Sequence, residues 1–238
     1  EKSSYEPVPT IIEAATTIFA GHSVKEISKS DADNLQSCSQ EVVRLIARTR
    51  AEGKKRIIVV TGVPGAGKTL AGLNAVHTTK EEGWEDGKVV YLSGNTPLVL
   101  VIREALAQDE KRRSIQNGSN RRMGEIRHNL RTRIQHINDF LKEYYKHDLE
   151  KPPFEHAIVF DEAQRAWDHK QGKKKFQRDA SEPELLMKIM DRHSPGWAAI
   201  VCLVGAGQEI NAGEPGMQQW GAALAKDPSW ELITPANA

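Results

Sequence analysis

The 238-residue chain is poor in cysteine, has no long apolar run and shows no excess of either charge. Cys38 and Cys202 are its only cysteines, too few for a disulfide framework or a cysteine-based zinc site. Apolar runs such as Ala198 to Val204 fall far short of the roughly 20 residues a membrane helix requires, so no membrane association is expected. The eight histidines are scattered; His136, His147 and His156 read as surface or core residues, and a transition-metal site is not expected. No apolar signal segment follows Glu1, so a trimmed piece of an intracellular, cytoplasmic protein is expected. What is present is ordinary for a globular protein: 39% hydrophobic and 27% charged residues, with a net charge of +1. The length suits one large domain or two small ones.

Residues 11–19 and about 33–51 have helical spacing, with Gly21 and Gly53 as stops and Ser30-Asp31 as capping residues for the second helix. From Arg56 the pattern changes. Ile57 to Val60, Lys88 to Leu92, Ala157 to Phe160 and Ala199 to Val204 are short apolar strands, and Glu231 to Thr234 suggests another. Between them lie helices at 68–80, about 96–107 with Thr96 as N-cap and Pro97 at N1, about 121–145, and 185–192. Ser181 and Glu184 fit a capping box for the last. Residues 108–150 carry no strand signal, and 168–180 read as a polar, lysine-rich loop. Continuously apolar strands alternating with helices predict a three-layer α/β sandwich around a mainly parallel sheet. The predicted organisation is an N-terminal helical segment, 1–52, followed by a P-loop lobe, 53–238, with a basic helical insert at about 108–150.

Gly62-Val63-Pro64-Gly65-Ala66-Gly67-Lys68-Thr69 matches the phosphate-binding pattern G-x-x-x-x-G-K-[ST], after a strand and before a helix that continues with Leu70. Glycines let backbone N–H groups close around phosphates, and the helix N-terminus adds a positive dipole end. Lys68 suits the β- and γ-phosphates of ATP, and the Thr69 hydroxyl suits Mg²⁺. Ile158-Val159-Phe160-Asp161-Glu162 delivers two carboxylates to the strand end where ligands bind in open sheets. Asp161 suits Mg²⁺ and Glu162 suits orienting and deprotonating water, which favours hydrolysis. A third buried strand ends at Gly205-Ala206-Gly207-Gln208, where Gln208 is the candidate contact to the γ-phosphate or the attacking water.

Together these elements resemble motifs I, II and III of superfamily 1 helicases. Val159 to Asp168, Ser181 to Leu186, Met190 to His193 and Gly207 to Glu214 more closely resemble the Schlafen-type DNA/RNA helicase-like family, over about Arg56 to Leu224. That resemblance implies a RecA-like fold and an ATP-driven motor on nucleic acid. It places Asn95 and Thr96 where a helix N-terminus meets the nucleic-acid backbone, and Gln40 where such helicases carry an adenine-reading glutamine; by spacing alone Gln40 is a surface residue of its helix. Motors of this type need a second RecA-like lobe that supplies an arginine. The chain stops about 25 residues after the third motif, so slow hydrolysis is expected of it alone.

Between Lys111 and Arg133, eight basic residues stand against Glu125, a local charge of +7 that leaves −6 elsewhere. Lys170, Lys173 to Lys175 and Arg178 form a smaller patch. Either is a solvated face or a contact to nucleic-acid phosphates, without base stacking because aromatics are sparse there. Trp167 and Trp220 read as packing residues. Two other functions fit the same motifs: an ATP-switched interaction module that never translocates, and a small-molecule kinase. The Asp161-Glu162 pair argues against the kinase, for which the 111–133 cluster is the available lid.

Overall fold

Strand parity decides which residues meet which layer. In β1 (Lys55–Gly62) Ile58 and Val60 enter one core while Ile57 and Val59 enter the other. The same alternation separates Tyr91 from Leu92, Val159 from Phe160 and Leu203 from Cys202. The computed structural model describes residues 11–20, 29–62, 67–81, 88–147, 150–176, 179–205 and 217–235. In it β1 joins β2 (Lys88–Ser93), β3 (Ile134–His136), β4 (Glu155–Asp161), β5 (Ala198–Gly205) and β6 (Trp230–Ile233) in one sheet. The order is β3-β2-β4-β5-β1-β6, and every pairing is parallel. All strand C-termini therefore share one edge.

Helices α1 (Ile11–Phe19), α2 (Lys29–Ala51), α3 (Lys68–Glu81), α4 (Thr96–Gln116) and α5 (Met123–Arg133) supply one core. The other face is covered by α6 (Ile137–Lys142) and, beyond α7 (His169–Phe176), by α8 (Glu182–Met190) and α9 (Gln218–Lys226). The result is the expected three-layer α/β sandwich. Helix α3 lies close on the sheet: a Cβ at Gly72 would come within 2.7 Å of Leu203 Cδ1 and 2.9 Å of Val159 Cγ1. That close approach brings the first turn of α3 to the C-terminal edge beside β4. No described helix is long and apolar enough to cross a membrane.

Several boundaries differ from expectation. The single helix expected at 121–145 is α5, then β3, then α6 and a π-turn, Glu143–His147, so the 108–150 stretch does contain a strand. Helix α4 runs on to Gln116, and its N-cap is Asn95, whose side chain accepts the Leu98 N–H, rather than Thr96. The lysine-rich 168–180 stretch contains α7. Ser30 and Asp31 lie inside α2 rather than capping it, while Gly53, at φ +63°, follows its end as expected. The Ser181–Glu184 capping box is present.

Candidate nucleotide site

Gly62 ends β1 and Lys68 opens α3. Between them Val63, Pro64, Gly65 and Ala66 lie outside the described residues, as does Gln208. Gly67 adopts φ +71°, open to glycine at little cost, and its carbonyl accepts the Ala71 N–H at 2.8 Å to start the helix. Lys68 Nζ donates to the Gly62 carbonyl at 2.7 Å, joining the two ends of the loop. Burial lowers the Lys68 pKa while the nearby Asp161 charge raises it. Leu70 packs its partly buried side chain on the core beneath.

Asp161 has the parity of Val159 and so points to the α3 side of the sheet. There one of its oxygens, Oδ2, accepts from Thr69 Oγ1 at 2.9 Å and from Tyr91 OH at 2.6 Å. Asp161 is buried, which raises its pKa, and the two hydroxyls draw it back down. Burial, then the Asp161 charge, holds the Tyr91 phenol well above its usual value. Tyr91 is a candidate site residue that motif reading misses, because only the β2–β4 register, Tyr91 beside Val159, reveals it. A hydroxyl and a carboxylate side by side, with an ammonium and a helix N-terminus adjacent, form a donor set suited to a hard cation carrying phosphates. Among the described residues no group of three His, Cys, Asp or Glu side chains could hold a metal by itself. A cation here would draw further ligands from phosphate and water.

Glu162 sits at φ +53°, a left-handed conformation costly for a residue with a Cβ. Its carboxylate pairs with Arg165 Nη1 at 2.8 Å across a 3₁₀ turn, Ala163–Arg165. The turn is pinned from both sides: Trp220 Nε1 donates to Ala163 O at 2.9 Å, and Gln164 Oε1 accepts the Gly205 N–H at 3.3 Å. Trp220 is buried, in the packing role expected for it. Beside this turn opens a cavity of about 410 Å³ whose wall includes Asn95, Thr96, His136, Glu162, Arg165 and Trp167. The structure thus brings Lys68, Thr69 and Asp161 together, with Glu162 adjacent but engaged by Arg165. Gln40 is exposed on α2.

The basic insert is less free than its composition implies. Arg112 and Arg113 pair with Asp109, Arg121 with Glu110 and Glu125, and Arg127 with Glu104. Lys111 donates to Asn120 Oδ1 and the Arg121 carbonyl, and the Arg133 guanidinium lies 5.1 Å over the Phe19 ring. The acidic partners Glu104, Asp109 and Glu110 lie just upstream of the counted segment and offset much of its charge. At the opposite sheet edge His156 stacks on His193 with ring centroids 3.8 Å apart, a packing role.

Residues 55–233 match the Schlafen group 3, DNA/RNA helicase domain family, most of the chain. The chain belongs to that family. No curated protein sequence matches this Schlafen-type domain. Among solved structures it is similar to the Pyrococcus furiosus Hef helicase domain, at 16% identity and TM-score 0.42, covering 81% of this chain and 37% of that one. The Aeropyrum pernix ORC2 protein in ADPNP–ADP complexes follows at 10% identity and TM-score 0.33, covering 92% and 51%. Drosophila ORC bound to AT-rich DNA and Cdc6 gives 10% identity and TM-score 0.38, covering 98% and 34%. The chain spans between about a third and a half of the length of these structures.

Proposed function

We propose that this Schlafen-type domain binds Mg-ATP and hydrolyses it as the first RecA-like lobe of a superfamily 1-type DNA/RNA helicase or translocase. In this reading residues 53–238 form the lobe, 1–52 its N-terminal helical segment and about 108–150 its basic insert. The observation that carries it is the 2.9 Å contact between Thr69, at the start of the helix after the phosphate loop, and Asp161 at the end of β4. A hydroxyl from one element and a carboxylate from another meet where ligands bind in open sheets.

Bound Mg-ATP would supply the γ-phosphoryl group and the cation that offsets its charge. The chain's own residues do the rest. The backbone N–H groups of Gly62 to Leu70, Pro64 having none, and the Lys68 ammonium bind phosphate, and Thr69 with Asp161 holds the metal. Tyr91 fixes the Asp161 carboxylate. Glu162 orients water and accepts its proton, and Gln208 contacts the γ-phosphate or that water. Nucleic acid passes over Asn95 and Thr96, with the basic insert contributing charge. One sheet forms one wall of the cleft. A second RecA-like lobe in the parental protein closes it and supplies an arginine, a contribution worth about 10³-fold or more in rate. Hydrolysis by this chain alone is therefore slow.

The test is ATP hydrolysis by the parental protein with and without single-stranded DNA or RNA, beside Lys68→Ala. The expected result is stimulation by nucleic acid and loss of turnover in the variant. Turnover indifferent to nucleic acid would contradict the motor and favour an ATP-switched interaction module.

A further inference from the structure

We propose that Arg165 is a positioning residue that holds Glu162 in a resting state, released when a backbone phosphate of single-stranded nucleic acid enters the adjoining cavity and takes the guanidinium. This rests on the reading of the domain as a nucleic-acid-dependent ATPase. It adds to that reading a residue, a site and a direction of control.

Glu162 and Arg165 both line the 410 Å³ cavity, and their ion pair lies within it. Arg165 is the one Lys or Arg among the residues described on that wall. The other carboxylates there are engaged: Asp161 by the Thr69 and Tyr91 hydroxyls, and buried Glu182 by the Trp167 N–H at 2.9 Å. The side chains of Glu162 and Arg165 remain 38% and 45% exposed, so a ligand can reach both. Across the cavity stand neutral donors, Asn95 and Thr96 at the start of α4 and Asn138 beside His136. His136 is itself fixed: Nδ1 accepts the Asn138 N–H, so Nε2 carries the proton and donates to the Gly94 carbonyl.

The pair is built to switch rather than to stabilise. A guanidinium binds a phosphodiester through two parallel N–H donors, and the phosphate's own charge repels the displaced carboxylate. An exposed pair three residues apart opens at small cost. The backbone of Glu162 is held at φ +53° by a turn pinned to β5 and α9, so opening moves the side chain and leaves the turn in place. The freed carboxylate is then available beside Asp161 for water.

The experiment compares wild type, Arg165→Gln and Arg165→Lys in the parental protein, measuring ATP hydrolysis and oligonucleotide affinity against salt. Oligothymidylate and oligouridylate are the two probes. For Arg165→Gln the expected result is a roughly two- to fivefold rise in turnover without nucleic acid, the worth of an exposed ion pair. Stimulation falls by the same factor, and the KM for Mg-ATP is unchanged. Oligonucleotide affinity falls, with a log–log salt slope shallower by roughly 0.7, one phosphate contact on a single strand. Arg165→Lys keeps the charge but not the paired donors, so it recovers the salt slope and part of the affinity and stimulation, which a merely structural role would not. Unchanged basal turnover with full stimulation in Arg165→Gln overturns the inference and leaves the ATPase reading standing. A wild type that hydrolyses ATP but ignores both oligonucleotides overturns the two together.

Discussion

A carboxylate buried at a strand end needs donors, and Asp161 has two hydroxyls on one oxygen. Removing the hydroxyl in Tyr91→Phe leaves the Thr69 hydroxyl and the Glu162 N–H as donors to that carboxylate. Losing a hydrogen bond to a charged group costs about 1.5–3 kcal/mol, so the urea midpoint is expected to fall by that equivalent. An unchanged midpoint would mean that Tyr91 does not support the carboxylate. The charge itself acts in the other direction. Burial raises the folded pKa of Asp161 above its unfolded value. Its favourable contribution is therefore complete at pH below the unfolded value and is lost as pH rises through the folded one. Asp161→Asn is accordingly expected to raise the thermal midpoint of the ligand-free protein at neutral pH while abolishing Mg-dependent hydrolysis. A lowered midpoint would contradict the sign.

At the scale of elements, the approach of α3 to the sheet sets where Lys68 and Thr69 stand. A methyl group at Gly72 meets Leu203 and Val159 at under 3.0 Å. Gly72→Ala is expected to cost about 1–3 kcal/mol by overpacking, read as a lower denaturation midpoint. A neutral or stabilising effect would show that the two elements can part freely. At the opposite edge, burial and the neighbouring His156 charge hold His193 down at about 4, only partly offset by its hydrogen bond to the Glu155 carbonyl, with the Lys55 charge adding to the depression. A depressed folded pKa means stability in place above pH 6.5 and lost as pH falls toward 4. That loss is on the order of 3 kcal/mol. Denaturation midpoints between pH 7 and 4.5 are expected to fall steeply in wild type and less steeply in His193→Gln; parallel slopes would dissociate His193 from the acid sensitivity.

Most elements were legible in the chain for a physical reason. Strands β1, β2, β4 and β5 are covered on both faces and therefore read as unbroken apolar runs. The edge strand β3 did not: Ile134-Gln135-His136 is three residues long, pairs on one side only and sits within a run of helical spacing. Helix α7, His169-Lys170-Gln171-Gly172-Lys173-Lys174-Lys175-Phe176, has little apolar content to announce it. Lys68, Thr69, Asp161 and Glu162 stood out as candidates because phosphate and metal chemistry restricts residue type and spacing, and the structure brings the first three together. Tyr91 and Arg165 were not, since the role argued for each depends on a neighbour that only folding supplies.

For the whole molecule, two halves of the sequence some 90 residues apart converge on one edge of a parallel sheet, as the 92-residue separation of Thr69 and Asp161 records. Membership in the Schlafen group 3 helicase domain family and the meeting of Lys68, Thr69 and Asp161 make that edge a nucleotide site in the proposed account. The most direct measurement is calorimetric titration of ATP, with and without Mg²⁺, into wild type, Lys68→Ala and Thr69→Ala. The account predicts Mg²⁺-strengthened binding in wild type, no measurable binding to Lys68→Ala, and binding to Thr69→Ala that no longer responds to Mg²⁺. Wild-type affinity in Lys68→Ala would contradict it.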